Sequence, residues 1–184
     1  MKIGIEEIRG ILAAYKLVKD ASWPGMHPAM ATRADKWPSA SMPELEAELA
    51  GYLREASAPS CSVRVFWKLG QELVFGGCNA QFAKDAGLGS AAELVGADDF
   101  DERLPWKAQA AKYRSDDREV MDKGAANLDI LERQTSAAGI TWVRVGKAPM
   151  RAAGGAVFGV LGMYEILDKE TGNKLYTQRS LKQG

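Results

Sequence analysis

The sequence predicts an α+β fold in which an antiparallel sheet with flanking helices follows a helical extension. Two observations predict it. Apolar residues recur at every third or fourth position up to Ala58-Pro59 and at every second position beyond it. The second half then closes on three alternating segments in series, separated by short glycine-bearing turns. A length of 184 residues supports one core with an added element and is short for two. The expected organisation is a helical extension over residues 1–58, a sheet-bearing domain over 59–168 and a polar tail over 169–184.

Ile5, Ile8, Leu12 and Tyr15 form one apolar stripe, the pattern of an amphipathic helix over Ile5 to Val18. Pro24, Gly25, Pro28 and Pro38 then break regular structure. Ser41-Met42-Pro43-Glu44 reads as a capping box that opens a second helix with Leu45, Leu49, Tyr52 and Leu53 on its apolar face. After Pro59, Val63, Val65, Trp67 and Leu69 alternate with Arg64, Phe66 and Lys68, and Gly70-Gln71-Glu72 turns that strand into Leu73-Val74-Phe75. Asn79 is placed to cap a short helix that Gly87 ends, and Ser90-Ala91-Ala92-Glu93 opens a further helical turn. A longer helix starts at Pro105-Trp106 and stops at Gly124. Strands follow near Leu128-Arg133, Thr141-Lys147 and Val157-Ile166. The segment from Asp168 has little apolar content and is expected to be a frayed, solvated end.

Composition excludes several function classes. The 24 basic residues balance the 24 acidic ones, so the basic excess of a phosphate-backbone binder is missing and no nucleic-acid partner is expected. No apolar run approaches the ~20 residues of a membrane span. Glu6 and Glu7 fall where a signal peptide would be apolar, so the expectation is a cytoplasmic protein with no membrane partner. Two cysteines and the single His27 are too few for a disulfide scaffold or a four-ligand zinc site, and no metal is expected.

Several segments carry a family resemblance. They are Phe66-Trp67-Lys68, Gly77-Cys78-Asn79-Ala80-Gln81-Phe82-Ala83, Glu93-Leu94-Val95-Gly96, Leu104-Pro105-Trp106, Trp142-Val143-Arg144-Val145 and Gly155 to Gly162. In this order and spacing, residues 63 to 168 resemble a PAS domain, the small sensory fold common in bacterial signalling proteins. The resemblance implies a five-stranded antiparallel sheet with helices over one face, enclosing a small-molecule pocket, in a module that senses or dimerises and has no catalysis of its own. Asp99 stands where flavin photoreceptors of this fold carry their adduct-forming cysteine, which argues against a cysteinyl-flavin adduct. His27 lies outside the matching region, which argues against haem on a core histidine. Non-covalent flavin remains open, and the expected partners are a small molecule, a second copy of the chain or a signalling protein.

By the same resemblance Val143, Val145 and Lys147 face the pocket, as do Ile130, Glu132 and Gln134 from the strand before and Val160, Gly162 and Tyr164 from the strand after. Lys147, Gln134, Glu132 and Tyr164 would then hold a polar or anionic ligand among Val143, Val145, Trp106 and Tyr113. The plainer alternative is that Lys147 is neutralised by Asp98, Asp101 or Glu132, while Trp106 and Tyr113 fill core. A module with a filled core and a purely structural role is the second reading. A small enzyme using Lys147, Glu132 and Tyr164 as an acid-base set is the third. Asn79 reads as a cap, Cys78 as a buried inert thiol, and Asp98, Asp99, Asp101, Asp116 and Asp117 as solvated or capping acids. Arg64, Phe66, Trp142 and Arg144 are expected on the outer sheet face, under cover of the N-terminal helices.

Overall fold

The computed structural model describes residues 9–10, 41, 43–44, 47, 62–152 and 154–182. The two N-terminal helices and the proline-rich connector lie outside the described residues except at those few positions. At the start of the expected second helix, Glu44 Oε2 accepts from both the backbone amide and the hydroxyl of Ser41, each at 2.6 Å. Gly10 is helical and lies close enough to Phe158 that a Cβ there would stand 2.2 Å from the ring.

Strand β1 (Val63–Leu69) turns back into β2 (Val74–Cys78), and α1 (Ala80–Asp85) follows. Short 3-10 turns at Ala91–Glu93 and Lys107–Gln109 lead to α2 (Ala110–Lys123). Then come β3 (Asn127–Ser136), β4 (Gly139–Arg151), β5 (Val157–Leu167) and α3 (Lys169–Ser180). The five strands form one antiparallel sheet in the order β2-β1-β5-β4-β3, with α1 and α2 over one face of it.

Local chemistry sets the element ends as the sequence predicts. The Asn79 side chain accepts from the Phe82 amide at 3.1 Å and caps α1. The same oxygen accepts from Val65 N while the amide group donates to Val63 O, so one side chain also ties α1 to β1. Gly124 closes α2 in the left-handed conformation, φ 58°, with its amide on Met121 O. The core under α1 is aromatic. The Phe82 ring centroid lies 4.8 to 5.9 Å from those of Phe66, Phe75, Trp106 and Tyr164, and burial of each such ring contributes roughly 1.5–3 kcal/mol.

Two expectations are corrected here. Arg64 and Phe66 face the helices and not the outer surface, because β1 pairs with β5 so that Arg64 lies opposite Tyr164, Phe66 opposite Gly162 and Lys68 opposite Val160. Directly paired residues share a face. Alternation alone offered two faces for β1, and only its pairing chooses between them. The polar segment after Asp168 is a helix and not a frayed end. Asp168 caps it through Thr171 N at 2.8 Å, and Gly172 lets it approach so closely that a Cβ there would meet the Trp142 ring at 2.1 Å. The Trp142 indole donates to Asn173 Oδ1 at 2.9 Å and packs on Tyr176, so α3 covers part of the outer face.

Candidate functional site

Between the sheet, α1 and α2 lies a cavity of about 30 Å³. Aromatic walls come from Phe66, Phe75, Phe82, Trp106, Tyr113 and Tyr164. Polar groups are contributed by Lys68 of β1, Lys147 of β4, Glu132 and Gln134 of β3, and Asp99 of the loop before α2. Seven of the eight residues expected at the site line it. They are Lys147, Gln134, Glu132, Tyr164, Val145, Trp106 and Tyr113. Val143 packs in the same core cluster without lining the cavity.

The charged end of the cavity is a closed network. The Lys68 ammonium donates to Asp99 Oδ2 at 2.5 Å and to Asp117 Oδ2 at 2.6 Å. Lys147 donates to Asp117 Oδ1 at 2.6 Å and to Tyr113 O at 3.3 Å. All four side chains are at most 3% exposed, so two cations and two anions cancel out of contact with water. Burial alone would drive the Lys68 ammonium down, but Asp117 and Asp99 outweigh it and hold it above its ordinary value. Burial opposes ionisation of Asp117 as well, yet the lysines on either side keep its carboxyl below the usual range. Asp99 has only one such close neighbour, and burial lifts its carboxyl above that range.

Lys147 is therefore neutralised by Asp117, and not through Asp98, Asp101 or Glu132. Asp99 and Asp117 are not solvated acids. Glu132 pairs with Lys112 at 2.5 Å, and the Tyr164 hydroxyl donates to Asp85 at 2.8 Å. Lys147, Glu132 and Tyr164 thus go to three different partners and form no acid-base set. Cys78 is buried, and burial pushes its thiol up to about 12. Among the described residues no group of three or more histidines, cysteines or acids converges on a metal position.

One polar atom of the cavity is unsatisfied. The Tyr113 hydroxyl is buried and has no hydrogen-bond partner. Burial, and after it the Glu132 and Asp99 carboxylates, keep this phenol neutral. An orphaned buried hydroxyl costs about 1–3 kcal/mol.

Reasoning from sequence missed Lys68, Asp99 and Asp117. For Asp117 a signal existed, because it follows Tyr113 by four positions and so shares its helix face. Lys68 has a weaker one, as an isolated charge inside Val65-Phe66-Trp67-Lys68-Leu69.

No family model and no curated protein matches the chain. Solved structures do. VqmA bound to DPO is 25% identical at a TM-score of 0.51, over 55% of this chain and 52% of that one. The Vibrio cholera VqmA–ligand–DNA complex is 24% identical at a TM-score of 0.51, over 63% and 54%. The PAS domain of Bordetella pertussis BvgS matches at 14% identity and a TM-score of 0.54, over 74% of this chain and 98% of that domain. This chain has the PAS fold. A Light-Oxygen-Voltage domain studied with a flavin analogue superposes at a TM-score of 0.53 and 14% identity, over 73% and 96%. The match spans about half the length of the VqmA chains. The expected exclusion of a nucleic-acid partner is corrected by these neighbours, because one of them is VqmA in complex with ligand and DNA. Net charge summed over a chain says nothing about where its charges lie, and a balanced sum is no bar to a local basic surface.

Proposed function

We propose that this chain is a sensory module that receives a small molecule in the cavity between its sheet and helix α2. The Tyr113 hydroxyl carries the reading. It is a buried donor with no acceptor among the protein groups, in a cavity whose other polar groups are paired, and an acceptor on a bound molecule would remove its cost. The same cavity has aromatic walls for the body of a ligand and a few convergent polar groups for its orientation, the usual make-up of such sites. VqmA, a neighbour at 25% identity, is bound to DPO, which supports ligand recognition in a receptor of this shape.

The cavity of about 30 Å³ has room for little more than a water molecule, against roughly 300–1,000 Å³ for typical ligand sites. Binding therefore requires it to open. A flavin does not fit the cavity as it stands. Native mass spectrometry with an absorption spectrum of the same sample tests the reading. Excess mass lost on denaturation supports it, a flavin spectrum would identify the ligand class, and an apo mass that no ligand library alters would favour the filled-core alternative.

A second reading comes from the VqmA structures on DNA. The module's output acts on nucleic-acid binding, in this chain or in an assembly with a second copy, as the VqmA dimer suggests. Anisotropy of a labelled DNA duplex, measured with and without cavity ligand and across a salt series, tests it. A salt-dependent rise supports contact through the phosphate backbone.

A further inference from the structure

We propose that the Asp99 carboxylate occupies the position of a ligand's anionic group, so that the molecule this cavity takes is a planar aromatic monoanion that displaces Asp99 from Lys68 and swings the Asp98 to Arg103 loop outward. The inference rests on the ligand-binding reading and adds the ligand's class and the part that moves.

Three features of the loop carry it. Asp99 is the one buried residue between Asp98 and Arg103, and Phe100, Glu102 and Arg103 are exposed. It lines the cavity and holds an ammonium that Asp117 holds as well. Lys68 would keep one carboxylate when Asp99 leaves, and an incoming anion would restore the second. The charge of the site is then two cations against two anions before and after. A neutral ligand leaves that balance short, and a cation meets two lysines.

The loop is also built to move as a unit. Its hydrogen bonds are largely its own, from Phe100 N to Asp98 Oδ1, from Asp101 N to Asp98 O and between Arg103 and Asp101. Its ends are fixed by Ala97 O, which accepts from Phe75 N at 2.8 Å, and by the buried Leu104. Outside itself it is held by Lys68, by Lys107 on Glu102, and by Arg114, which reaches Asp98 at 3.4 Å and lies over the Phe100 ring. Departure of Asp99 would enlarge a cavity that is too small as it stands, and bring an aromatic body against the walls within reach of the Tyr113 hydroxyl. It would also rearrange the surface at the exposed Phe100 and its largely buried neighbour Arg114, through which occupancy is read outside.

The probes are benzoate, a planar monoanion, and benzamide, its neutral isostere, titrated into isotope-labelled full-length protein and followed by amide and lysine resonances. Benzoate is expected to shift Lys68 together with residues 98–101 in the wild-type protein, and benzamide to bind at least tenfold more weakly. Asp99→Ala is expected to bind benzoate about tenfold more tightly than wild type, because nothing has to be displaced, with no such gain for benzamide. Asp99→Asn, which keeps the shape, is the second variant if the alanine protein is unfolded, and should show the same gain. Benzoate affinity within twofold across these proteins overturns the proposal, as do cavity shifts at Tyr113 and Trp106 that leave residues 98–101 unmoved, or no shift with either probe. Recovery of a neutral or cationic bound molecule by native mass spectrometry would overturn it while leaving the ligand-binding reading intact.

Discussion

Asp117 places Oδ2 2.6 Å from the Lys68 ammonium and Oδ1 2.6 Å from that of Lys147. Lys68 lies on β1 and Lys147 on β4, the two strands that flank β5, so one helix carboxylate ties α2 to the sheet across its centre. Removing it leaves Lys68 with Asp99 alone and Lys147 with only the more distant Asp116 carboxylate, 4.0 Å away. Loss of one partner from a buried ion pair costs about 3–5 kcal/mol, and Asp117→Ala is expected to fall in that range. Asp99→Ala should cost clearly less, since Lys68 keeps Asp117. Urea unfolding of both variants checks the order, and equal losses would contradict the bridging role.

The tip of the Phe66 ring lies against Gly162, where a Cβ would stand 2.1 Å from it. Gly162→Ala must therefore push that ring off the sheet and into the cavity, or move β1 from β5. Such overpacking costs about 1–3 kcal/mol. The expected result is a folded protein with a lowered melting temperature and a weaker cavity ligand, read by calorimetry and titration. Unchanged stability would mean that the ring has somewhere else to go.

Much of the sheet is legible in the sequence because alternation, turn glycines and the Asn79 cap are local signals, and each acts where it is read. Faces are not local. The alternation of Val63 to Leu69 predicts a strand but not which set of side chains joins the pocket, and Phe66 and Lys68 reach it only because β1 pairs with β5 in a particular register. The same distance hides the charged network. Lys68, Asp99, Asp117 and Lys147 come from four separate elements, and an aspartate in a run of acids looks solvated until a lysine 49 positions away is found beside it. Helix α3 escapes for another reason. Most of its residues face water, and what holds it is the Asp168 cap, Gly172 seated on Trp142, and the contacts of Asn173 and Tyr176 with Trp142 and of Arg179 with Asp129, all distant in sequence.

Cys78 packs in the aromatic core beside Phe82 and Ala83, with its thiol pushed up to about 12 by burial. A thiol must ionise to react, so alkylation by iodoacetamide at pH 8 should be negligible at this position in the folded protein and complete in urea. Mass mapping of the alkylated peptide separates Cys78 from Cys61. Rapid modification of Cys78 under native conditions would reopen a redox role for it.

The two aspartates of the network should protonate in a fixed order. Burial raises the Asp99 carboxyl above its ordinary value, so the folded state takes this proton more readily than the unfolded chain does, and the contribution of Asp99 to stability declines as pH rises through that interval. Asp117 has the opposite sign. Held below the usual range by Lys68 and Lys147, it contributes stability that is present above the unfolded value of about 3.9 and is lost as pH falls through its lower folded value. On acidification from neutrality Asp99 therefore takes its proton first, above about pH 3.9, and the Lys68–Asp99 link loosens while Asp117 still clamps both lysines. Carbon-detected titration of side-chain carboxyls should show Asp99 moving before Asp117, with the amides of residues 98–101 following Asp99 and the melting temperature dropping only with Asp117. Titration of both in one step would mean that the two carboxylates share their lysines equally, and titration of Asp117 first that Asp99 is the more tightly held; either would mean that Asp99 is not the replaceable one.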